Sequence, residues 1–388
     1  MKKENIGVSA FGIKCPIIHE GDNIEQIVVD SILSATYMGS TVDRQKDVRG
    51  KITNAHSLVR KNLYDIENKD VFGITESVVA RAQGNYVDVD EIAEYIKQNY
   101  GEKNIVLLNP IYSRNRFSMI LKGIARAAKE KVVIYMPDFD EVGNPRGVNP
   151  FTGVNMEIYY GKVVGDEGKE YSIHPYDYAK TDTDVIYGDD WLMIYCGLHD
   201  FNEWKSKYGR NPLNITLADI CSDKCEFGVL GSNKATEERL KLFPTKAFAN
   251  KVCYGVKNKL KEVTGKDVIV ICNGDGCFHS PGYPGIIGSS INECADPVCC
   301  PGYTDPDIVE SCPNEGKLKY YADLYPELTM DELMEKIRKD KGDNNIGKMT
   351  SEGVTPRRRE WLWASLFDLI TGSGDRGTPI VQGRGLLD

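Results

Sequence analysis

No stretch of this chain approaches the roughly 18 consecutive apolar residues of a membrane-spanning helix, so none is expected. Positive charge is in deficit: 48 Lys and Arg against 57 Asp and Glu leave a net charge of -9. Such a chain lacks the global field on which non-specific binding to nucleic acid or to anionic membranes depends, so any phosphate must be held by a local pocket. Zinc-type spacing is missing as well. None of the 11 cysteines stands in a Cys-x-x-Cys pair, and the five histidines show no i, i+4 pairing. The Gly-Lys-Ser/Thr ending of a Walker loop is absent, and no local signature of Ser/His or Cys/His nucleophilic catalysis is present. The opening MKKENIGVSAFGIKCPIIHEGD interrupts its apolar residues with Glu4, Asn5, Ser9 and Lys14, unlike a signal peptide. A cytoplasmic protein with reduced thiols is therefore expected rather than a disulfide framework.

What is present is ordinary globular material: 388 residues, 41% hydrophobic and 27% charged, with 37 Gly and 17 Pro. That length allows two or three domain-sized units or one large core with insertions. Residues 1–140 alternate apolar strand-like runs with amphipathic helices. Asp22 with Glu25, and Asp88 with Glu91, mark helix starts. Strands are expected at Asp70 to Thr75, Asn104 to Leu108 and Val132 to Tyr135, and a helix near Met119 to Lys129. From 141 to 228 the pattern dissolves into Gly, Asn, Asp and Tyr, which reads as an insertion. Residues 229–388 resume the regular pattern and complete the unit begun by 1–140, around a Cys-rich stretch at 284–350. Within it, SNKATEERLKLF reads as a short helix capped by Ser232. A long amphipathic helix follows from about Thr245 to Val263, with Gly265 as its stop, and then a strand at Asp267 to Cys272. Met330 to Lys339 reads as a helix. The expected class is α+β: mixed sheet with flanking helices.

Four segments offer chemistry. In DVFGITESVVARAQG, a strand, a tight turn and a helix start carry Glu76, Ser77 and Arg81, which suits an anion. An ordinary cap on a solvated helix face is the plain alternative. SRNRFSMILKG sets Arg114, Asn115 and Arg116 beyond a strand's carboxyl end, fit either for a polyanionic ligand or for surface salt bridges. NGDGCFH projects Asp275 between Gly274 and Gly276, a carboxylate for a hard cation or an Asx turn. TGSGDRGTP is a Gly-rich loop able to cover a ligand.

Taken together, GIKCPIIHEGDNIEQIV, DVFGITESVVARAQG, VIVICNGDGCFHSPG and SLFDLITGSGDRGTPIV resemble the coenzyme F420-0:L-glutamate ligase (F420-0 gamma-glutamyl ligase) family in motif and in order along the chain. The resemblance implies a gamma-glutamyl ligase-like fold, here with large insertions, and GTP-dependent formation of an amide between L-glutamate and a carboxylate of coenzyme F420-0 or a similar acceptor. It further implies an acyl phosphate intermediate, Mg²⁺ or Mn²⁺ with K⁺ as monovalent cation, and a homodimer that binds neither nucleic acid nor membrane. Carried over by position, Cys15, Pro16, Ile17 and Ile18 fall in the nucleotide-binding opening loop, and Glu76 with Ser77 at the family's Ser-Lys contact. Arg81 falls at its later phosphate-binding Lys, Asn115 at a nucleotide-contacting Asn, and Asp275 with Gly276 at the metal-binding Asp-Thr turn. Arg81, Arg114 and Arg116 would clamp phosphates during catalysis. The chain departs from the pattern where Glu76-Ser77 replaces Ser-Lys, where Tyr112 or Ser113 meets the first metal Asp, and where Gly276 replaces Thr. Two other classes stay open: a non-catalytic nucleotide-binding relative, and a metal or redox protein built on Cys272, Cys277, Cys294, Cys299 and Cys300.

Overall fold

The computed structural model describes residues 8–36, 42–46, 52–57, 65–140, 143–176, 188–196, 214–274, 286–289, 318–339, 359–371 and 377–385. Along the chain these form β1 (Ser9–Ile13), α1 (Ile24–Thr36), β2 (Val42–Lys46), β3 (Ile52–Ser57), β4 (Val71–Thr75) and α2 (Glu76–Gln83). Next come β5 (Tyr86–Asp88), α3 (Val89–Tyr100), β6 (Asn104–Leu108), α4 (Phe117–Ala127), β7 (Lys131–Met136), α5 (Met156–Asp166) and β8 (Glu170–Pro175). Then follow β9 (Trp191–Tyr195), β10 (Asn214–Thr216), β11 (Ser232–Lys234), β12 (Arg239–Leu242), α6 (Lys246–Thr264) and β13 (Ile269–Asn273). The last are β14 (Ile286–Ser289), α7 (Leu318–Leu324), α8 (Met330–Lys339), α9 (Arg359–Thr371) and β15 (Ile380–Arg384).

Two five-stranded sheets carry the molecule. The first is mixed, in the order β1-β15-β4-β13-β14, with β4 and β13 parallel and the other pairs antiparallel. The second, β10-β9-β6-β7-β8, is parallel throughout. A three-stranded antiparallel sheet, β11-β12-β5, and the β2-β3 pair complete the set among the described residues. This is the α+β architecture expected from the alternating pattern. The stretch 141–228 supplies β8, β9 and β10, three of the five strands of the parallel sheet, together with α5.

Burial explains the arrangement. The central strand β6 hides Ile105, Val106, Leu107 and Leu108 completely, as strands covered on both faces do. Helix α6 starts at Thr245, whose Oγ1 accepts from the Phe248 N–H at 3.2 Å, and stops at Gly265 in the left-handed region, φ 70°. Its buried stripe is Ala249, Val252, Val256 and Leu260. Each of the larger side chains contributes about 1.5–3 kcal/mol relative to exposure. On the opposite face of the first sheet, Trp363, Ala364 and Phe367 of α9 pack on Val71, Ile271 and Val381.

One expectation is overturned. SNKATEERLKLF is a hairpin, not a Ser232-capped helix: β11 and β12 pair antiparallel, and the Ser232 hydroxyl donates to the Val229 carbonyl. Alternation decides the outcome. Leu240 and Leu242 are fully buried while Arg239 between solvent and Tyr86 stays exposed, a period of two that a helix cannot satisfy.

Candidate functional site

Strand direction in the first sheet brings distant segments to one edge. Strand β13 runs parallel to β4, so Asn273 lies opposite Thr75 where both end. Strand β15 runs the other way and begins there, with Ile380 opposite Ile74 and the Thr75 N–H donating to the Pro379 carbonyl at 2.9 Å. Strand β1 in turn ends beside the start of β15, Ile13 opposite Ile380. The strands of the four family-like segments therefore converge at the carboxyl ends of β1, β4 and β13, the edge at which open α/β sheets bind ligands.

The loop after β1 carries Cys15 to Ile18. Ile18 is buried, Cys15 is half-buried, and Pro16 and Ile17 are exposed. Gly21, φ 79°, closes this loop onto α2 by donating its N–H to the Ala82 carbonyl at 2.9 Å. At the other end of the helix, Thr75 is an extended N-cap whose side chain caps nothing. The backbone N–H groups of the first turn are thus left uncapped by that side chain, at the positive end of the helix dipole.

Around that first turn the hairpin β11-β12 supplies two side chains. Asn233 and Lys241 sit directly opposite each other in the ladder and so share a face. Asn233 Nδ2 donates to Glu76 Oε1 at 3.0 Å, and the Lys241 ammonium donates to the Ser77 hydroxyl. Burial lowers the pKa of Lys241; the Glu76 carboxylate opposes this and the Arg81 charge adds to it. Arg81 is exposed one turn further along α2.

The second sheet reaches the same place from the other side. Beyond β6, Tyr112 is buried, its N–H on Asp140 Oδ2 at 3.1 Å and its hydroxyl on the Pro137 carbonyl. Burial holds that hydroxyl protonated far beyond the usual tyrosine range. The Ser113 N–H donates to the Tyr160 hydroxyl at 2.9 Å, and Ser113 Oγ accepts from the Arg116 N–H at 3.0 Å. Arg114 and Asn115 are exposed on this turn, whereas Arg116 is buried and donates from Nη2 to Asn233 Oδ1 at 3.2 Å. Asn233 thus joins the Arg114–Arg116 turn to the start of α2. Neither Asn233 nor Lys241 was expected from the sequence. Alternation in RLKL was the signal that could have placed them on a strand facing α2.

Asp275 and Gly276 lie outside the described residues, as do Cys277, Cys294, Cys299, Cys300 and Cys312. Among the described residues no three His, Cys, Asp or Glu side chains are grouped to hold a metal ion. Cys15, Cys196, Cys221, Cys225, Cys253 and Cys272 are free thiols. Asn273 ends β13 two residues before Asp275; it is buried, and its Oδ1 has no hydrogen-bond partner among the described residues. A lone buried amide oxygen is the type of hard donor that Mg²⁺ accepts.

No described helix is long and apolar enough to cross a membrane. A search of curated proteins finds no match. The family model described as F420-0:Gamma-glutamyl ligase matches residues 12–385, from inside β1 to the residue after β15. That span takes in all the strands that form the converging edge and both helix starts around it, and by it the chain belongs to the F420-0:gamma-glutamyl ligase family.

Proposed function

We propose that this chain is a GTP-dependent ligase that joins the amino group of L-glutamate to a carboxylate of coenzyme F420-0 or a similarly carboxylate-tailed acceptor. The observation that carries the reading is the convergence of the strands of four family-like segments at one sheet edge, beside a helix start that Lys241 reaches directly and Arg116 through Asn233, with Arg81 one turn further along. A carboxylate is a poor electrophile. Its oxygen attacks the γ-phosphorus of GTP, the bond to the β-phosphate oxygen breaks, and GDP leaves. The glutamate nitrogen then attacks the acyl carbon, the carbon–oxygen bond to phosphate breaks, and the amine proton departs to solvent or a base. Such chemistry asks for positioning and charge stabilisation more than for a protein nucleophile.

In this reading Arg81, Arg114 and Arg116 face the phosphates, Asn115 and Glu76-Ser77 contact the nucleotide, and Cys15 to Ile18 form the wall of its pocket. Asp275 at Gly276, with the Asn273 amide oxygen, would hold Mg²⁺ or Mn²⁺. When bound, that ion neutralises phosphate charge and orients the transferred group. K⁺ as a second cation, a homodimer and a cytoplasmic setting belong to the same proposal.

The test is phosphate release from GTP and from ATP with Mg²⁺ or Mn²⁺, L-glutamate, and a panel of F420-0, short-chain F420 and folates, with mass spectrometry of the products. A glutamate-sized mass gain on one acceptor, with GTP preferred, is the expected result. Nucleotide binding with no phosphate release across the panel would reject the ligase and leave a non-catalytic relative. Tyr112 or Ser113 stands where the resemblance puts a metal carboxylate, and both are bonded within the fold, which is the observation favouring that second reading.

A further inference from the structure

Lys241 is placed as no surface lysine is. It stands on β12, between cross-strand neighbours Asn233 and Tyr86, and reaches the first turn of α2. Among the described residues its ammonium has one hydrogen-bond partner, the Ser77 hydroxyl, and no carboxylate within ion-pair distance. A hydroxyl uses one of its three N–H donors and none of its charge. The cation that acts on it is Arg81 of α2, exposed and without a carboxylate partner among the described residues. Among the described residues the anion beside it is Glu76, which is buried and accepts from Asn233. With Lys241 and Arg81 both cationic and the Glu76 carboxylate beside them, this turn at the positive end of a helix keeps one positive charge in excess, which an anionic ligand would neutralise. Two cations and backbone N–H groups that the Thr75 side chain leaves uncapped fit a polyphosphate, which presents several charged oxygens at once, better than a single carboxylate.

We propose that Lys241 is the phosphate-gripping ammonium of this site, supplying from β12, together with Arg81, the positive charge that Ser77 does not carry at the start of α2. The proposal rests on the nucleotide-binding part of the ligase reading, but not on the acceptor or on turnover.

The experiment measures binding of GTP and of inorganic tripolyphosphate to the full chain, without divalent metal, for wild type, Lys241→Met, Lys241→Gln and Lys241→Arg. The expected result is a loss of about 10- to 100-fold in affinity for both probes in the Met and Gln variants, the range of one charge-assisted contact. Lys241→Arg should recover most of it. Tripolyphosphate affinity of the wild type should fall as alkaline pH removes the ammonium proton, and Lys241→Arg should abolish that fall. Glu76 and Arg81 from α2 and Tyr86 from β5 are the other charged or titratable groups facing Lys241, and all are unchanged in that variant.

Lys241→Gln keeps a donor for Ser77 and guards against a Met variant that fails to fold. Wild-type affinity for both probes in a folded Met or Gln variant overturns the proposal. So does equal loss in Gln and Arg, which would make Lys241 only a strut for Ser77. Absence of tripolyphosphate binding in the wild type also overturns it. Lys241-dependent binding without ligase turnover upholds it while rejecting the acceptor chemistry.

Discussion

Asn233 and Glu76 are 157 residues apart in the chain, yet the Asn233 amide donates to the Glu76 carboxylate at 3.0 Å while its carbonyl accepts from Arg116. One neutral side chain thereby ties the hairpin to the helix starts of both large sheets. Asn233→Ala removes a partner from two buried charged groups and should cost about 1–3 kcal/mol. Urea denaturation reads that loss, and GTP affinity should drop with it because Arg116 loses its tether. An unchanged midpoint would mean that other contacts of Glu76 and Arg116 hold the junction alone.

The opposite end of β4 carries a second tie. Asp70, fully buried, accepts from Arg384 Nε and Nη2 at 2.6 Å each, from Gln382 Nε2 at 2.8 Å and from the Glu67 N–H at 2.8 Å. This bidentate pair raises the pKa of Arg384 and fixes the register of β15, whose other end opens at the candidate site. Asp70→Ala removes both of these bonds but leaves the guanidinium paired with Glu67 at 3.0 Å and bonded to the Asp65 carbonyl, and should cost about 1–3 kcal/mol. Asp70→Asn, which keeps shape and one acceptor, should cost less. A thermal melt of both variants checks the order; equal melting points would show that the acceptor kept by Asn contributes nothing and that the lost charge accounts for the whole effect.

Local signals carried much of this fold. Strands β4, β6, β7 and β13, and helices α6 and α8, lie within a few residues of where apolar period, caps and Gly stops put them, because each is decided by its own burial pattern. Partner strands were not legible. Nothing in DVFGIT says that its neighbours are IVICN, 198 residues on, and IVQGR near the far end, since pairing depends on non-local packing. The site was half legible for the same reason. Segments 76–81 and 114–116 were recognisable, but Asn233 and Lys241 were hidden in a stretch whose Ala, Glu and Leu favour helix while its tertiary context imposes a strand.

Gly73 on β4 has no room for a side chain. A Cβ there would lie 2.2 Å from Cδ2 of Phe367 on α9, so the residue is required by space rather than by backbone conformation. Gly73→Ala should destabilise by about 1–3 kcal/mol through overpacking. Phe367→Leu alone also destabilises, but the double variant should melt above the sum of the two losses, because the smaller side chain admits the methyl. Strict additivity would separate the two positions and argue that the strand shifts instead.

The buried thiols make a prediction of opposite sign to that for Lys241. Burial pushes Cys221 and Cys225 up to about 12, with Asp223 adding to the effect at Cys221. Their unfolded thiols ionise near the ordinary 9.0, so above that pH the unfolded chain binds fewer protons than the folded one. The stability they contribute is complete below about pH 9 and declines as pH rises toward 12. A Lys held below its ordinary pKa does the reverse, its penalty relieved as alkali discharges it. Cys221→Ser with Cys225→Ser should therefore flatten the alkaline fall in melting temperature, and Lys241→Met should steepen it. Thiols kept protonated are also slow nucleophiles and weak ligands for soft metals. Peptide mapping after iodoacetamide at pH 8 should find both cysteines unmodified in the native protein and labelled in urea, whereas fast native labelling, or stoichiometric zinc or iron at these thiols, would show them ionised.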